Sequence, residues 1–526
     1  MKKIKSLIML ILVIGLTAGT ALADMPKYVF FFLGDGMSST QIQATEAYLT
    51  TLNGGSAILA TDLQKDENRL NMSKMPVVGM QTTYDAHALM TDSASAGTAF
   101  ACGIKTMSGV VGMDETQSIS YKSIAQLAYE QGRKVGVISS VSLDHATPAS
   151  YYASVPNRGF MNNIATQLAE TDYDFFGGGG LASPTAASRV GDTSNNVWDV
   201  LTENGYSVLN DRDSIMALMT NPKDKVVCIN PWLQDSSAMP YAIDRPNTNL
   251  SLKEITDVAI SCLENNDDKL LFDGKHGKKR HCSKFRNNRN INGFFLMVEG
   301  GKIDWACHAN DAVASIGDTL DFDNAIGSAI EFYNKHPRET LIVVTGDHET
   351  GGMTIGHATT GYSAHYDVLL GQMNSYTYFA QNQWPAHKAA YNEGYDWSRP
   401  DNFSSNGSMM DLLTSAFGLT WDELNSYQKE KLEDAYDKSM IGENDNSSDE
   451  NKLLYGNYEP IIVTITHIMN ENASIGWTSY SHTGVPVPVF AMGSDSELFS
   501  GFYDNTDIAK KLAKAMDIIE KLPVEK

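Results

Sequence analysis

The stretch MPKYVFFFLGDGM, residues 25–37, decides how the chain is read. Met25 to Leu33 is an apolar, aromatic run that stops at Gly34-Asp35-Gly36. An unbroken run of this kind reads as a buried strand, and the glycine turn marks its carboxyl end. Further strands are predicted at Lys134 to Ser139, Val226 to Ile229, Phe294 to Val298, Thr340 to Val344 and Val487 to Met492. Helices are predicted between them: Gln41 to Leu49, Ser93 to Cys102, Ser123 to Gln131, Ala312 to Tyr333 and Asp507 to Lys521. Strands alternating with helices predict an α/β fold, a mostly parallel central sheet with helices on both faces. In such sheets ligands bind beyond the carboxyl ends of the strands, so the polar residues just after them carry the functional reading.

The chain has 526 residues, 42% of them hydrophobic and 20% charged, which excludes a fibre, a coiled coil or a disordered tail. Its 63 acids against 40 bases give a formal charge of −23. That field opposes non-specific binding to nucleic acid or to an anionic membrane. An anionic substrate would have to be met by local cations, either metal ions or a well-placed arginine. Lys2, Lys3 and Lys5, the apolar run Leu7 to Leu16 and Ala21-Leu22-Ala23 before Asp24 form a signal peptide over residues 1–23. No later stretch approaches the ~18–20 apolar residues of a membrane span. The expectation is a periplasmic or secreted protein with no membrane attachment once the leader is removed. Five cysteines leave at least one thiol unpaired, and Cys262 and Cys282 flank a hydrophilic loop that a bridge between them would close.

Residues 24–526 read as one catalytic domain, and two stretches break its pattern. Residues 275–289 carry seven Lys/Arg and no acid, a solvated loop tip in so acidic a chain. Residues 356–472, rich in Tyr, Trp, Asn and Ser, read as an insertion. A helix is expected to open there at Thr420, with Glu423 completing a capping box. Asp445 to Asp449 lacks the glycine and terminal Glu of a calcium-binding EF-hand loop. The insertion is expected to limit access or build a dimer and to supply no ligand, although His357, His365, His387 and His467 lie within it.

Ligand-type residues fall at the strand ends: Asp35, Glu299, the pair Asp347-His348, and His482 shortly before the final strand. Asp304 and His308 are four apart, which places both on one face of a helix. Carboxylate with imidazole suits zinc, and an all-oxygen set suits magnesium. Each residue alone has a bland reading; their gathering at strand ends does not. Ser93, in Thr91-Asp92-Ser93-Ala94-Ser95, sits at a helix start that favours an anion. No histidine accompanies it in a Gly-x-Ser-x-Gly elbow, so activation by metal is the better reading.

The stretches YVFFFLGDGM (28–37), TDSASAGTAFACGIKT (91–106), DHATPA (144–149), MVEGGKIDWACH (297–308), VTGDHETGG (344–352) and SHTGVPVPVFAMG (481–493) resemble alkaline phosphatases, in that family's order. The insertion resembles the large crown-type segment of a bacterial subgroup. The resemblance implies hydrolysis of phosphate monoesters through a phosphoseryl intermediate on Ser93, two Zn2+ ions, one Mg2+ ion and a homodimer. It implies that Asp304, His308 and His482 hold one zinc and that Asp347, His348 and Asp35 hold the other, which also contacts Ser93. It gives the magnesium to Asp35, Thr147 and Glu299, and the phosphate clamp to Arg158, eleven residues after Thr147. Asp92 would position Arg158. His145 and Trp305 vary within the family and stand next to the ligands rather than among them.

Other enzymes of the same superfamily are the nearest rivals. A sulfatase needs a Cys/Ser-x-Pro-x-Arg setting that Ser93 lacks. A mutase would be cytosolic, against the leader. A phosphodiesterase, or an inactive metal-binding surface protein, stays as the alternative.

Overall fold

The computed structural model describes residues 25–264 and 293–526. The leader, the basic run 275–289 and Cys282 lie outside the described residues. The opening run forms strand β1, Tyr28–Gly34, and all seven residues are buried. Successive strand side chains point to opposite faces. Val29, Phe31 and Leu33 accordingly enter one hydrophobic core and Phe30 and Phe32 another, on the other side of the sheet.

Nine more strands complete the sheet: β2 (Val77–Gln81), β3 (Lys134–Ser139), β4 (Phe175–Gly178), β5 (Ser207–Leu209), β6 (Val226–Ile229), β7 (Phe294–Glu299), β8 (Thr340–Gly346), β9 (Val487–Gly493) and β10 (Gly501–Tyr503). Their order is β10-β2-β9-β8-β1-β7-β3-β4-β6-β5. Every pairing is parallel except those of β9, which runs antiparallel to both β2 and β8. That reversal matters for the site. A residue just before β9 emerges at the same edge of the sheet as residues just after β1, β7 and β8. His482 therefore meets Asp304 and His348 from the opposite chain direction. The strands without a sequence signal are β2, β4, β5 and β10. They are three to five residues long, and β2 alternates buried and exposed side chains as a strand with one face open to solvent does.

Helices relevant to the site are α1 (Ser39–Leu52), α2 (Ser93–Cys102), α3 (Lys302–His308) and α4 (Ala312–Lys335). Within residues 356–472 the chain is mostly helical. Phe379, Leu413, Leu432, Tyr436 and Ile465 belong to a hydrophobic cluster separate from the two sheet cores. The helix expected to open at Thr420 instead has its N-cap five residues on, at Asn425, and runs as α5, Ser426–Ile441. Trp421–Glu423 is only a 3-10 turn, and the capping box is made by Asn425 with Gln428. The register follows the apolar face, which buries Leu432, Ala435, Tyr436 and Met440. Ser447 and Glu450 form another capping box, so Asp449 serves the first turn of a helix. Helix α6, Pro460–Ala473, ends the segment. The C-terminal helix α7, Thr506–Ala515, stops short of the expected Lys521 because Asp517 turns left-handed (φ 52). Among the described residues Cys102, Cys228, Cys262 and Cys307 are buried and none is bridged to another. Among the described residues no helix is long and apolar enough to cross a membrane.

Candidate active site

Asp35 follows β1 and is fully buried. Its neighbour Gly36 has φ +72, and a Cβ there would fall 2.8 Å from the Asp304 Cα, so only glycine lets the two carboxylate-bearing segments approach. Gly36 N–H donates to Asp347 Oδ1 at 3.0 Å, tying the ends of β1 and β8 together. Helix α3 places Asp304 and His308 as their spacing predicts, with His308 Nε2 3.3 Å from Asp304 Oδ2. His482 Nε2 lies 3.1 Å from His308 Nε2 and 3.6 Å from Asp304 Oδ1.

The imidazoles reveal what they face. His308 Nδ1 meets the Tyr480 carbonyl at 2.7 Å, and His482 Nδ1 meets the Thr91 carbonyl at 2.7 Å. A carbonyl only accepts, so each Nδ1 carries the proton and a neutral ring leaves its Nε2 lone pair free. Two such lone pairs and a carboxylate therefore converge on one point, the donor set of a cation site. Asp304, His348 and His482 offer ligand atoms all within 4.8 Å of one another, as do Asp35, Asp347 and His348, and Asp35, His145 and Glu299. Asp347 Oδ2, His348 Nε2 and Glu299 Oε1 are buried without any hydrogen-bond partner. Orphaned acceptors in such number are costly unless a cation satisfies them. These residues fit divalent metal ions.

With protons as the only cations, the acids are strained apart. Burial and then the Asp347, Asp304 and Glu299 carboxylates push Asp35 well above the usual range. Burial pushes Glu299 up to about 8, with Asp347 adding to it, and raises Asp347 to about 7, with Asp304 adding to it. Asp304 goes the other way: burial opposes its charge, but His308 and then His482 outweigh it and hold the carboxyl well below the usual range. Burial, reinforced by His482, keeps His348 neutral.

Ser93 begins α2, is 1% exposed, and its hydroxyl donates to Asp35 Oδ1 at 3.4 Å. Asp92 caps the helix by accepting from Ser95 N–H, and it pairs with Arg158 Nη1 at 2.9 Å. Burial works against that carboxylate, yet Arg158 and the Ser95 and Gly109 amides hold Asp92 down at about 2. Arg158 Nη2 donates to His145 Nε2 at 2.9 Å, which fixes the guanidinium from both sides. Burial and then Arg158 lower His145 to about 3. Thr147 Oγ1 reaches Asp35 Oδ2 at 3.5 Å. Trp305 packs its ring edgewise on His145, centroids 5.8 Å apart.

The expected ligand residues thus gather at the carboxyl edge of the sheet, where their atoms form three groups, with His308 beside the group of Asp304, His348 and His482. His145, expected to stand outside the ligands, contributes an atom to the cluster with Asp35 and Glu299. Sequence reasoning missed Thr350 and Ser139. Thr350 Oγ1 donates to Asp304 Oδ1 and meets His348 Nδ1 at 3.2 Å, linking two ligand sets. Ser139 donates to Glu299 Oε2 from the register position directly opposite it. The strand-end rule that found Glu299 applies equally to Ser139, which ends β3. Of the four insertion histidines, none stands in a metal-type group among the described residues.

A family model described as alkaline phosphatase matches residues 26–518. The chain belongs to the alkaline phosphatase family. Alkaline phosphatase 3 of Bacillus subtilis is 29% identical over 501 residues, covering 94% of this chain and 89% of the relative. The repressible alkaline phosphatase of Saccharomyces cerevisiae is 27% identical and covers 94% of this chain and 81% of its own length. Among solved structures, a cold-active alkaline phosphatase from the psychrophile Shewanella sp. has a TM-score of 0.67 at 26% identity, over 94% of this chain and all of that one. The Thermus thermophilus alkaline phosphatase shares the fold at a TM-score of 0.69, with 23% identity over 97% of this chain and 96% of that one. As an alkaline phosphatase the chain is a metal-dependent phosphoric monoester hydrolase.

Proposed function

We propose that this alkaline phosphatase works through a phosphoseryl intermediate on Ser93, with two Zn2+ ions and one Mg2+ ion at the sheet edge. Asp304, His308 and His482 would hold the first zinc, and Asp35, Asp347 and His348 the second, beside Ser93. Asp35, Thr147 and Glu299 would hold the magnesium, with His145 next to them. A solved variant of the alkaline phosphatase from the Antarctic bacterium TAB5, 25% identical, has Mg bound in its M3 site. The observation that carries the reading is the set of orphaned ligand atoms, Asp347 Oδ2, His348 Nε2 and Glu299 Oε1, around a buried serine at a helix N-terminus. Bound there, divalent cations would offset charge on the entering and leaving oxygens.

The chain's own residues supply the rest. Arg158, held by Asp92 and His145, presents a planar guanidinium suited to two phosphate oxygens. Helix α2 aims its free amides at the same anion. Ser93 Oγ forms a bond to phosphorus as the ester oxygen–phosphorus bond breaks, and the alcohol leaves with the serine proton. Water then breaks the Ser93–phosphorus link, releasing phosphate and returning a proton to Oγ. Phosphate labelled and trapped at low pH is expected on Ser93; label on another residue would overturn the assignment. Release of p-nitrophenol from the monoester, abolished by chelator and weak from the bis ester and the sulfate ester, tests the substrate class.

The same proposal takes residues 24–526 as one catalytic domain with an insertion at about 356–472, exported after removal of residues 1–23 and active as a homodimer. The exposed side chains of Val78, Met80 and Phe502 on neighbouring strands β2 and β10 offer apolar surface for a second copy. Amino-terminal sequencing of the exported protein is expected to start at Asp24. Sedimentation is expected to show two copies.

A further inference from the structure

Helix α3 ends in a turn that does more than stop it. Asn310 takes a left-handed conformation (φ 51) and is 1% exposed. Its N–H bonds to the Cys307 carbonyl, and Asp311 N–H bonds to the Ala306 carbonyl, the paired bonds of a Schellman ending. That ending uses only backbone groups, and glycine would serve it as well. The Asn310 side chain is committed elsewhere. Its Nδ2 donates to the Cys307 carbonyl at 2.9 Å and to the Ser479 carbonyl at 3.0 Å. Both partners only accept, so the amide orientation is settled and Oδ1 faces His467 Nε2 at 3.0 Å. His467 is therefore the donor. From the same helix, α6, Asn470 Nδ2 donates to the Asn310 carbonyl at 2.8 Å.

Asp311 grips the other end of the insertion. Its Oδ1 accepts from Gln372 Nε2 at 2.9 Å and its Oδ2 from Tyr376 N–H at 2.7 Å. Two adjacent residues thus tie both ends of the 356–472 segment to the end of α3. The consequences run straight to the ligands. His308 is the last residue of α3, two before Asn310. Ser479, held by Asn310, precedes Tyr480, whose carbonyl orients His308 and whose ring lies 6.0 Å from that of His467. His482 follows two residues later.

We propose that Asn310 and His467 form a clasp through which the insertion fixes the separation of His308 and His482. Both are positioning residues, and the proposal rests on the reading of His308 and His482 as zinc ligands. A loosened clasp leaves the donor set intact but lets the two imidazoles drift, so bound zinc is released faster. Groups that orient metal ligands typically change affinity by about 10- to 100-fold.

The test measures zinc release from the loaded enzyme to a coloured chelator, alongside thermal melting. His467→Ala and Asn310→Gly are each expected to release zinc about 10-fold faster. His467→Gln, which still presents an N–H donor, should restore much of the wild-type rate. Tyr436→Phe, in the insertion core away from the clasp, should lower melting without changing release. Asn310→Gly keeps the left-handed turn and reads the same contact from the other side, so it decides the matter if His467→Ala does not fold. Wild-type release from folded His467→Ala or Asn310→Gly would overturn the clasp. The ligand reading has its own arm: His308→Ala must lose one of the two zinc ions. Full zinc in His308→Ala would sink that reading and the clasp together, whereas zinc loss there with wild-type release in the clasp variants would sink the clasp alone.

Discussion

Histidines at the sheet edge and histidines in the insertion meet opposite fates. At the edge, His308 and His482 each spend Nδ1 on a carbonyl and turn Nε2 toward Asp304. In the insertion, His387 Nε2 meets the Tyr436 hydroxyl at 2.8 Å, and His467 Nε2 meets the Asn310 amide oxygen at 3.0 Å. Neutral partners use up the ring nitrogen there, and no carboxylate shares the point. Residue type does not distinguish ligand from packing histidine; the partner of the second nitrogen does.

The comparison breaks most sharply at Ser93. Ser93→Ala is expected to lower turnover on the order of 10⁴-fold or more, the scale of losing a covalent nucleophile. Circular dichroism and zinc content should stay those of the wild type, because on the proposed assignment the hydroxyl is not the main ligand of either zinc. Retained turnover would shift the chemistry away from the helix N-terminus.

Metal removal is the next test. Stripped of metal, the edge holds Glu299 and Asp347 with affinities for protons raised to about 8 and about 7. A carboxyl raised in the folded state binds more protons folded than unfolded, so stability falls as pH rises from its unfolded pKa, near 4, through the folded value. The chelated protein is therefore expected to melt at progressively lower temperature from pH 4.5 to pH 8, and added zinc and magnesium should remove most of that slope. A chelated protein with a flat profile would mean that the acids find other counter-charges.

Arg158→Lys should be milder. Lysine keeps the charge but loses the paired N–H geometry and the simultaneous contacts to Asp92 and His145. A loss of about 10- to 100-fold in kcat/KM is expected, corresponding to one or two charge-assisted hydrogen bonds. Weaker inhibition by inorganic phosphate should accompany it; unchanged phosphate inhibition would remove Arg158 from the clamp.

The smallest functional effect belongs to the insertion core. Leu432→Ala should cost about 2–4 kcal/mol of stability by leaving a cavity, read as a lower denaturation midpoint. Saturating zinc content and turnover at low temperature should hardly move. Loss of zinc from the folded variant would extend the influence of the insertion well beyond the Asn310 contact.

Much of the fold was legible because its signals are local. β1, β3 and β6 are apolar runs with sharp ends, and Asp304 with His308 needs only helical spacing to share a face. The short strands β2, β5 and β10 were not legible, since three to five residues of mixed polarity gain their pairing from the neighbours they meet. The register of α5 was missed for a related reason. Thr420 and Glu423 satisfy a local capping pattern, but burial of Leu432 and Tyr436 selects Asn425 as the cap.

The candidate site divides in the same way. Sequence alone showed which residues are of ligand type and that several of them stand at strand ends, because strand ends and residue chemistry are local properties. Only the tertiary structure decided which of them face one another. The reversed direction of β9 brings His482 beside Asp304 across more than a hundred residues of intervening chain. The Nδ1 contacts that free each Nε2 come from the backbone at Tyr480 and Thr91. A carbonyl carries no sequence signal, since every residue has one, and which imidazole it meets is settled only when distant segments pack.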